Sequence, residues 1–459
     1  MAIPPVRFLP IPVLLQRRSN DEYWPLAWSK RDLWAVGRAV ERAEAAGDTL
    51  RQQHDFSASR RGTATALRAI DEAWGGGYYK IDPQAETDPE AAEAVFGGSE
   101  LVIDVQTHYV ARHRAEAPGV EGIMGFIRDV APDRWQGLDP AHHLDLGSYL
   151  RHVFLESETA AAVLTCTPGD DRHSILTNPE ISATRELIDR LAGTGRLINH
   201  SIVHPNAPGE FDQMESLMAH GKPAGWKVYT IAGWGDQPGW RLDDDECGLP
   251  FLERSRELGV SIVCAHKGLS ALARAGSPAD IGPAAASFPD IDFLVYHSGY
   301  ETPVGDSEEG PYDKQAPAGT DRLIKSLHES GIGPGANAYA ELGSTWYVLS
   351  RRPREAAHVI GKLLNAVGED NVLWGSDSIW YGSPQPLIDA FRTFQIPEDL
   401  RQRHGYPELT DRIKEKILGL NAARVYGIDA DSTRRRVASD DLSWVKAAFD
   451  EHTANGDFQ

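Results

Sequence analysis

Val102-Ile103-Asp104-Val105-Gln106-Thr107-His108 is a short apolar run that ends on polar side chains. Its β-branched content reads as a strand. Residues two apart on a strand point the same way, so Gln106 and His108 share a face. Two histidines at this spacing would make a metal pincer. Here one arm is an amide, a weaker and harder ligand than an imidazole. Seven more apolar runs follow, at 161–167, 197–204, 226–230, 260–266, 291–297, 336–342 and 372–377. Helical stretches separate them. Near-continuous apolar strands alternating with helices predict a parallel sheet buried on both faces. Eight such units predict an α/β fold, a (β/α)8 TIM-like barrel, over residues 99–429.

The flanks read differently. Residues 29–51 and 63–74 have helical periodicity with many charges, and 88–94 suits a short helix, so 1–98 reads as an N-terminal helical extension. It is expected to pack on the barrel or on a second subunit. The segment 109–158 is too long for a simple βα connection and is expected to be a lid or an interface insertion. Residues 430–459 are polar and read as a C-terminal helix or tail.

Composition bounds the partners. The chain has 459 residues, with 46 Lys plus Arg against 67 Asp plus Glu, a formal charge of −21. That balance argues against nucleic acid and anionic membranes. A small-molecule substrate is the expected partner, with a homodimer as the expected assembly if 109–158 is an interface. The three cysteines, Cys166, Cys247 and Cys264, have no CxxC spacing. They read as buried thiols in a reducing compartment, and the cytoplasm is the expected location. The sequence has no secretory signal pattern and no run of about 20 apolar residues.

In a barrel of this kind the strand ends converge on one mouth, where active sites sit. The first run ends at Gln106 and His108, and the fourth carries Lys227. The fifth ends at His266, the sixth at His297 and the eighth at Asp377; the seventh carries Glu341. Histidines and a carboxylate around one point suit zinc, manganese or iron. For Lys227 an ion pair with Glu341 competes with a functional role. Large rings cluster near strand ends four, six, seven and eight: Trp226, Tyr229, Trp234, Tyr300, Trp346, Trp374, Trp380 and Tyr381. They suit an apolar or aromatic ligand as well as plain packing. Of these, Trp226, Tyr229, Tyr300, Trp346 and Trp380, together with Glu341, are the expected substrate contacts.

At these positions the chain resembles the amidohydrolase superfamily, in the amidohydrolase-related branch that includes nonoxidative decarboxylases. The resemblance covers roughly residues 100–428. It includes the closing segment Ile417-Leu418-Gly419-Leu420-Asn421-Ala422-Ala423-Arg424-Val425-Tyr426-Gly427. The resemblance implies metal-ligand roles for His108, Lys227, His266, His297 and Asp377, with Gln106 in place of the first pincer histidine. It implies one or two divalent ions, zinc before iron or manganese, and a carbamylated Lys227 if there are two. The first functional expectation is hydrolysis of an acyl bond (amide, ester, lactone or thioester) by metal-activated water, with Asp377 accepting the water proton. The alternative is metal-dependent decarboxylation of an aromatic acid, with His297 or Asp377 protonating the ring carbon. A barrel that persists as a non-catalytic scaffold is the third reading.

Overall fold

The eight apolar runs form eight parallel strands. They are β1 (Val102–Thr107), β2 (Thr159–Leu164), β3 (Leu197–Ile202), β4 (Gly225–Tyr229), β5 (Ile262–His266), β6 (Asp292–Tyr296), β7 (Ala338–Glu341) and β8 (Val372–Leu373). The computed structural model describes residues 10–20, 22–117, 120–122, 124–125, 140–169, 173–231, 239–269, 274–302 and 307–455. Each strand pairs with the next in sequence, from β1 through β8. The sheet then closes on itself. Val105 N donates to Trp374 O (3.1 Å), Asp377 N to Gln106 O (2.9 Å) and His108 N to Ser378 O (2.6 Å). The expected (β/α)8 barrel is therefore the observed one.

Two apolar layers hold it. Ile103, Val105, Val163, Cys264, Leu294, Tyr296 and Leu373 form one buried cluster. Side chains from β1, β2, β5, β6 and β8 can meet only inside the barrel. The larger cluster joins the outer strand faces to the helices, for example Trp226 and Val228 to Phe251 and Leu252. The last predicted run, 372–377, is a strand only at Val372–Leu373. Beyond it the backbone turns, and Asp377 adopts φ +59°.

Among the described residues the N-terminal region contains four α-helices: α1 (Lys30–Ala46), α2 (Leu50–Ala58), α3 (Arg60–Ala73) and α4 (Pro89–Phe96). Capping boxes start the first two, Ser29 with Asp32 and Thr49 with Gln52. The region lies against the barrel. Lys80 N donates to Thr393 O (2.9 Å) and Gln395 N to Tyr78 O (2.8 Å). Before α1 the chain runs as an irregular strap. Ile11, Leu14 and Leu15 are buried. Tyr347 OH donates to Gln16 O (2.6 Å), Arg351 Nη2 to Leu26 O (3.2 Å) and Arg18 to the Tyr381 carbonyl. These contacts carry the strap across the ends of β7 and β8.

Much of the expected insertion, 118–119, 123 and 126–139, lies outside the described residues. Its later part is anchored beside β1, where the Tyr149 and Thr107 hydroxyls are 2.8 Å apart. The C-terminal region forms helices Ala430–Val437 and Asp441–Asn455. Arg196 clamps Asp440 with two bonds, 2.6 and 2.7 Å. Among the described residues no helix is long and apolar enough to cross a membrane.

Arg60 on α3 reaches Glu158 and lies 3.4 Å from the buried Asp389. Burial pushes the Asp389 carboxyl up to about 7 despite Arg60. Arg60→Met leaves that carboxylate without its main counter-charge and should cost about 2 kcal/mol in urea unfolding. The pair Arg60→Met with Asp389→Leu should recover most of the loss. Equal losses in the single and double variants would contradict this account.

Candidate active site

His108 and Asp377 meet where β1 and β8 close the barrel. His108 Nδ1 lies 3.0 Å from the Thr165 carbonyl. A carbonyl can only accept, so Nδ1 carries a hydrogen and Nε2 is the nitrogen turned into the site. Nε2 faces Asp377 Oδ1 at 3.1 Å. Asp377 Oδ2 accepts from Ser344 Oγ (2.5 Å) and from Asn20 Nδ2 (2.8 Å). Burial pushes the Asp377 carboxyl up. The hydrogen bond and charge of His108, with His297 and Ser344, outweigh burial and hold it well below the usual range. Asp104 fixes the β8 loop by accepting from Ser376 N (2.9 Å) and Ser376 Oγ (2.5 Å).

His266 ends β5, and His297 follows β6 in a left-handed conformation, φ +65°. Such backbone costs about 1–3 kcal/mol at a non-glycine residue and persists where the surroundings enforce it. Here Glu341 enforces it by accepting from His297 N (3.0 Å) and Gly343 N (2.5 Å). His297 Nδ1 donates to Gly343 O at 2.7 Å, so in the neutral ring Nε2 presents a lone pair. The strap supplies what that lone pair faces. Glu22 Oε2 is 3.5 Å from His297 Nε2, and Glu22 Oε1 is 3.3 Å from His266 Nδ1. One amide joins the two halves of the site. Asn20 Nδ2 donates to Glu22 Oε2 (2.6 Å) as well as to Asp377.

The ring is dry: His266, His297 and Lys227 are 0% exposed, and His108 and Asp377 1%. Burial pushes His266 well below its usual value, with neighbouring cations adding to the effect, and pushes His297 down to about 4 against the opposing charge of Asp377. Both imidazoles are therefore neutral at neutral pH and able to bind a cation. Burial also lowers the Lys227 amine to about 8 and raises the Glu341 carboxyl to about 8.

The other predicted residues fall into two groups. The Tyr229 ring stacks on His266 with centroids 4.8 Å apart, and Trp380 lies 6.1 Å from the His108 ring. Lys227 Nζ sits 3.7 Å from the Tyr296 ring centre and 4.6 Å from that of Tyr229. Gln106 turns towards Glu341: a Cβ on Gly343 would lie 2.2 Å from Gln106 Oε1 and 2.6 Å from Glu341 Oε1. Glu341 itself holds backbone and does not line the ring. Three expected substrate contacts face elsewhere. Trp226 alternates with the inward Lys227 and so points to the helices. Trp346 Nε1 donates to Leu387 O (2.9 Å), and its ring packs on Phe391 and Phe394. Tyr300 OH donates to Glu355 Oε1 (3.1 Å). Each is large and near a strand end, but its polar atom or strand face is committed to packing. Trp234 lies outside the described residues.

Asn20, Glu22 and Ser344 were not legible as site residues, and Tyr381 stood out only as one of the rings near strand end eight. Tyr381 OH is 2.6 Å from Ser344 Oγ and 3.0 Å from Tyr23 OH. Strap residues follow no strand or helix period. The only hint was a polar run, Arg17 to Glu22, between apolar stretches.

The residues present fit a divalent cation. Two histidines spend Nδ1–H on backbone carbonyls and aim Nε2 at carboxylates, the outer bonding typical of metal-bound imidazole. At His297 and Glu22 acceptor faces acceptor in a buried space, which calls for a positive charge between them. The fold and site together are a (β/α)8 barrel whose strand ends bring buried histidines and carboxylates to one mouth. The amidohydrolase family model matches residues 103–428, and the chain belongs to that family. No curated protein matches the chain.

Solved structures similar to it include a TIM-barrel protein of Bordetella bronchiseptica, at 15% identity over 71% of this chain and 98% of that one (TM-score 0.47). Another is 2,6-dihydroxybenzoate decarboxylase from Rhizobium, at 14% identity over 72% and 99% (TM-score 0.43). A third is a dihydroxybenzoic acid decarboxylase from Polaromonas sp. JS666 with bound manganese, at 13% identity over 72% and 97% (TM-score 0.43).

Glu341 gives a signed pH test. Its folded value, about 8, lies above the ordinary 4.5. It therefore contributes stability that is full below pH 4.5 and lost as pH rises through 8, by up to about 1.4 kcal/mol per pH unit. In metal-free protein, wild-type Tm should fall relative to Glu341→Gln between about pH 5 and 8.5. Parallel curves would remove the raised carboxyl from this account.

Proposed function

We propose that the chain is a metal-dependent nonoxidative decarboxylase of an aromatic hydroxy acid. The observation that carries this reading is the dryness of the ring, with His266, His297 and Lys227 at 0% exposure. A carboxylate taken out of water loses the hydration that stabilises its localised charge, which favours expulsion of carbon dioxide. Hydrolysis instead needs a water kept at the reacting centre. The exchange of a pincer histidine for Gln106 also weakens the case for two tightly held ions.

His108, His266 and His297, with Asp377 beside them, would hold the cation, which supplies positive charge for the substrate carboxylate and an adjacent hydroxyl. Tyr229 and Trp380, whose rings lie against His266 and His108, offer aromatic surface to the substrate ring. Asp377 is held as a carboxylate and is the base. It takes the phenol proton and returns it to the ring carbon that bears the carboxylate. The carbon–carbon bond then breaks, carbon dioxide leaves, and the electron pair stays with the ring as the phenolate product.

One observation favours acyl hydrolysis as a second reading. The Lys227 amine, lowered to about 8, has a neutral fraction at neutral pH, which carbamylation requires.

Purified protein loaded with Mn2+ or Zn2+ and given 2,6-dihydroxybenzoate tests the choice. Carbon dioxide release is expected, and Asp377→Asn should lower kcat by at least about 100-fold. Hydrolysis of p-nitrophenyl esters without carbon dioxide release from a panel of hydroxybenzoates would overturn the proposal in favour of the hydrolase.

A further inference from the structure

We propose that Glu22, carried by the strap that precedes the barrel, is a ligand of the divalent cation and shares it with His266 and His297. The ligand atoms of these three residues all lie within 4.8 Å of one another. Glu22 precedes the 103–428 segment that the family model matches, so this donor comes from outside the matched barrel segment.

Hydrogen-bond accounting carries the assignment. His297 has spent its one hydrogen on Gly343 O, and its buried Nε2 has no hydrogen-bond partner. What it faces, 3.5 Å away, is a carboxylate oxygen, which is also an acceptor. Two acceptors opposed in a dry space repel unless a cation sits between them. The carboxylate is also placed deliberately. Asn20 holds Glu22 twice, through Nδ2 to Oε2 (2.6 Å) and through Oδ1, which accepts from Glu22 N (3.1 Å). Asn20 is itself 3% exposed and tied to Asp377. The strap is pinned on both sides of Glu22, by Arg18 to Tyr381 O and by Tyr23 OH to Tyr381 OH (3.0 Å).

The donor set is two imidazole nitrogens and a carboxylate, which suits zinc, manganese or iron. It also answers the loss at Gln106. Where a pincer would give a second imidazole, this chain has an amide oxygen, and Glu22 restores a strong, charged donor.

The test is metal titration of the full chain after chelator treatment, with Mn2+ as the probe and calorimetry and Tm as readouts. Glu22→Gln should raise the Mn2+ dissociation constant at least about tenfold. The same change should leave the metal-free Tm unchanged or raise it, because it removes a buried negative charge opposed to His297 Nε2 while the amide oxygen can keep the Asn20 bond. The Tm gain on adding Mn2+ should shrink. A merely structural Glu22 predicts a lower metal-free Tm with unaltered Mn2+ affinity, and that result would overturn the assignment. So would unaltered affinity with reduced turnover, which would make Glu22 a positioning residue. No substrate enters the titration, so the ligand assignment can fail while the decarboxylase reading stands, and the reverse.

Discussion

Two backbone carbonyls, Thr165 O and Gly343 O, decide the chemistry of this barrel mouth. Each takes the Nδ1 hydrogen of a histidine, His108 in one case and His297 in the other. Both rings therefore turn Nε2 inwards, and His297, which burial keeps neutral, turns a lone pair. Most of the polar architecture answers that demand. Asp377 faces Nε2 of His108 and Glu22 faces that of His297, while Asn20 bridges the two carboxylates. Glu341 in turn anchors the backbone of His297 and Gly343, so the second carbonyl is aimed by a buried carboxyl group.

Burial makes these assignments expensive and therefore specific. A buried unpaired polar group costs about 1–3 kcal/mol, and a buried charge more. The site meets the cost unevenly. Asp377 stays ionised because donors surround it, whereas burial keeps His266 and His297 neutral and pushes Glu341 towards its protonated form. The left-handed backbone at His297, Ser344 and Asp377 falls at the same place. Ordinary packing would select against it, so its concentration around the ring marks where the fold gives up stability for geometry.

The barrel was legible because period-two strands buried on both faces leave an unbroken apolar signature, and all eight runs became strands. The polar residues at those strand ends were legible for the same reason: a polar residue at the end of an apolar run stands out. Register errors were small and physical. The eighth run, for example, contains a turn at Asp377 that composition does not announce. Aromatic residues read less well. Trp226, Tyr300 and Trp346 are close to strand ends, but proximity along the chain does not say which face a ring takes. Glu22 could not be found in this way. Its role depends on a contact with a strand end hundreds of residues away, and no local pattern encodes that.

The separation itself has a consequence for how the protein matures. Asn20 and Asp377 touch across 357 positions of sequence. Closing so long a loop is entropically costly until the segments between are folded. The strap leaves the ribosome first, yet its docking ground, the loops after β7 and β8, is made near the end of synthesis. Until the strap settles, the ring histidines lack the cover that Glu22 gives them. A cation held by the ring would have its open entry in that interval, so its capture would be tied to the order of folding.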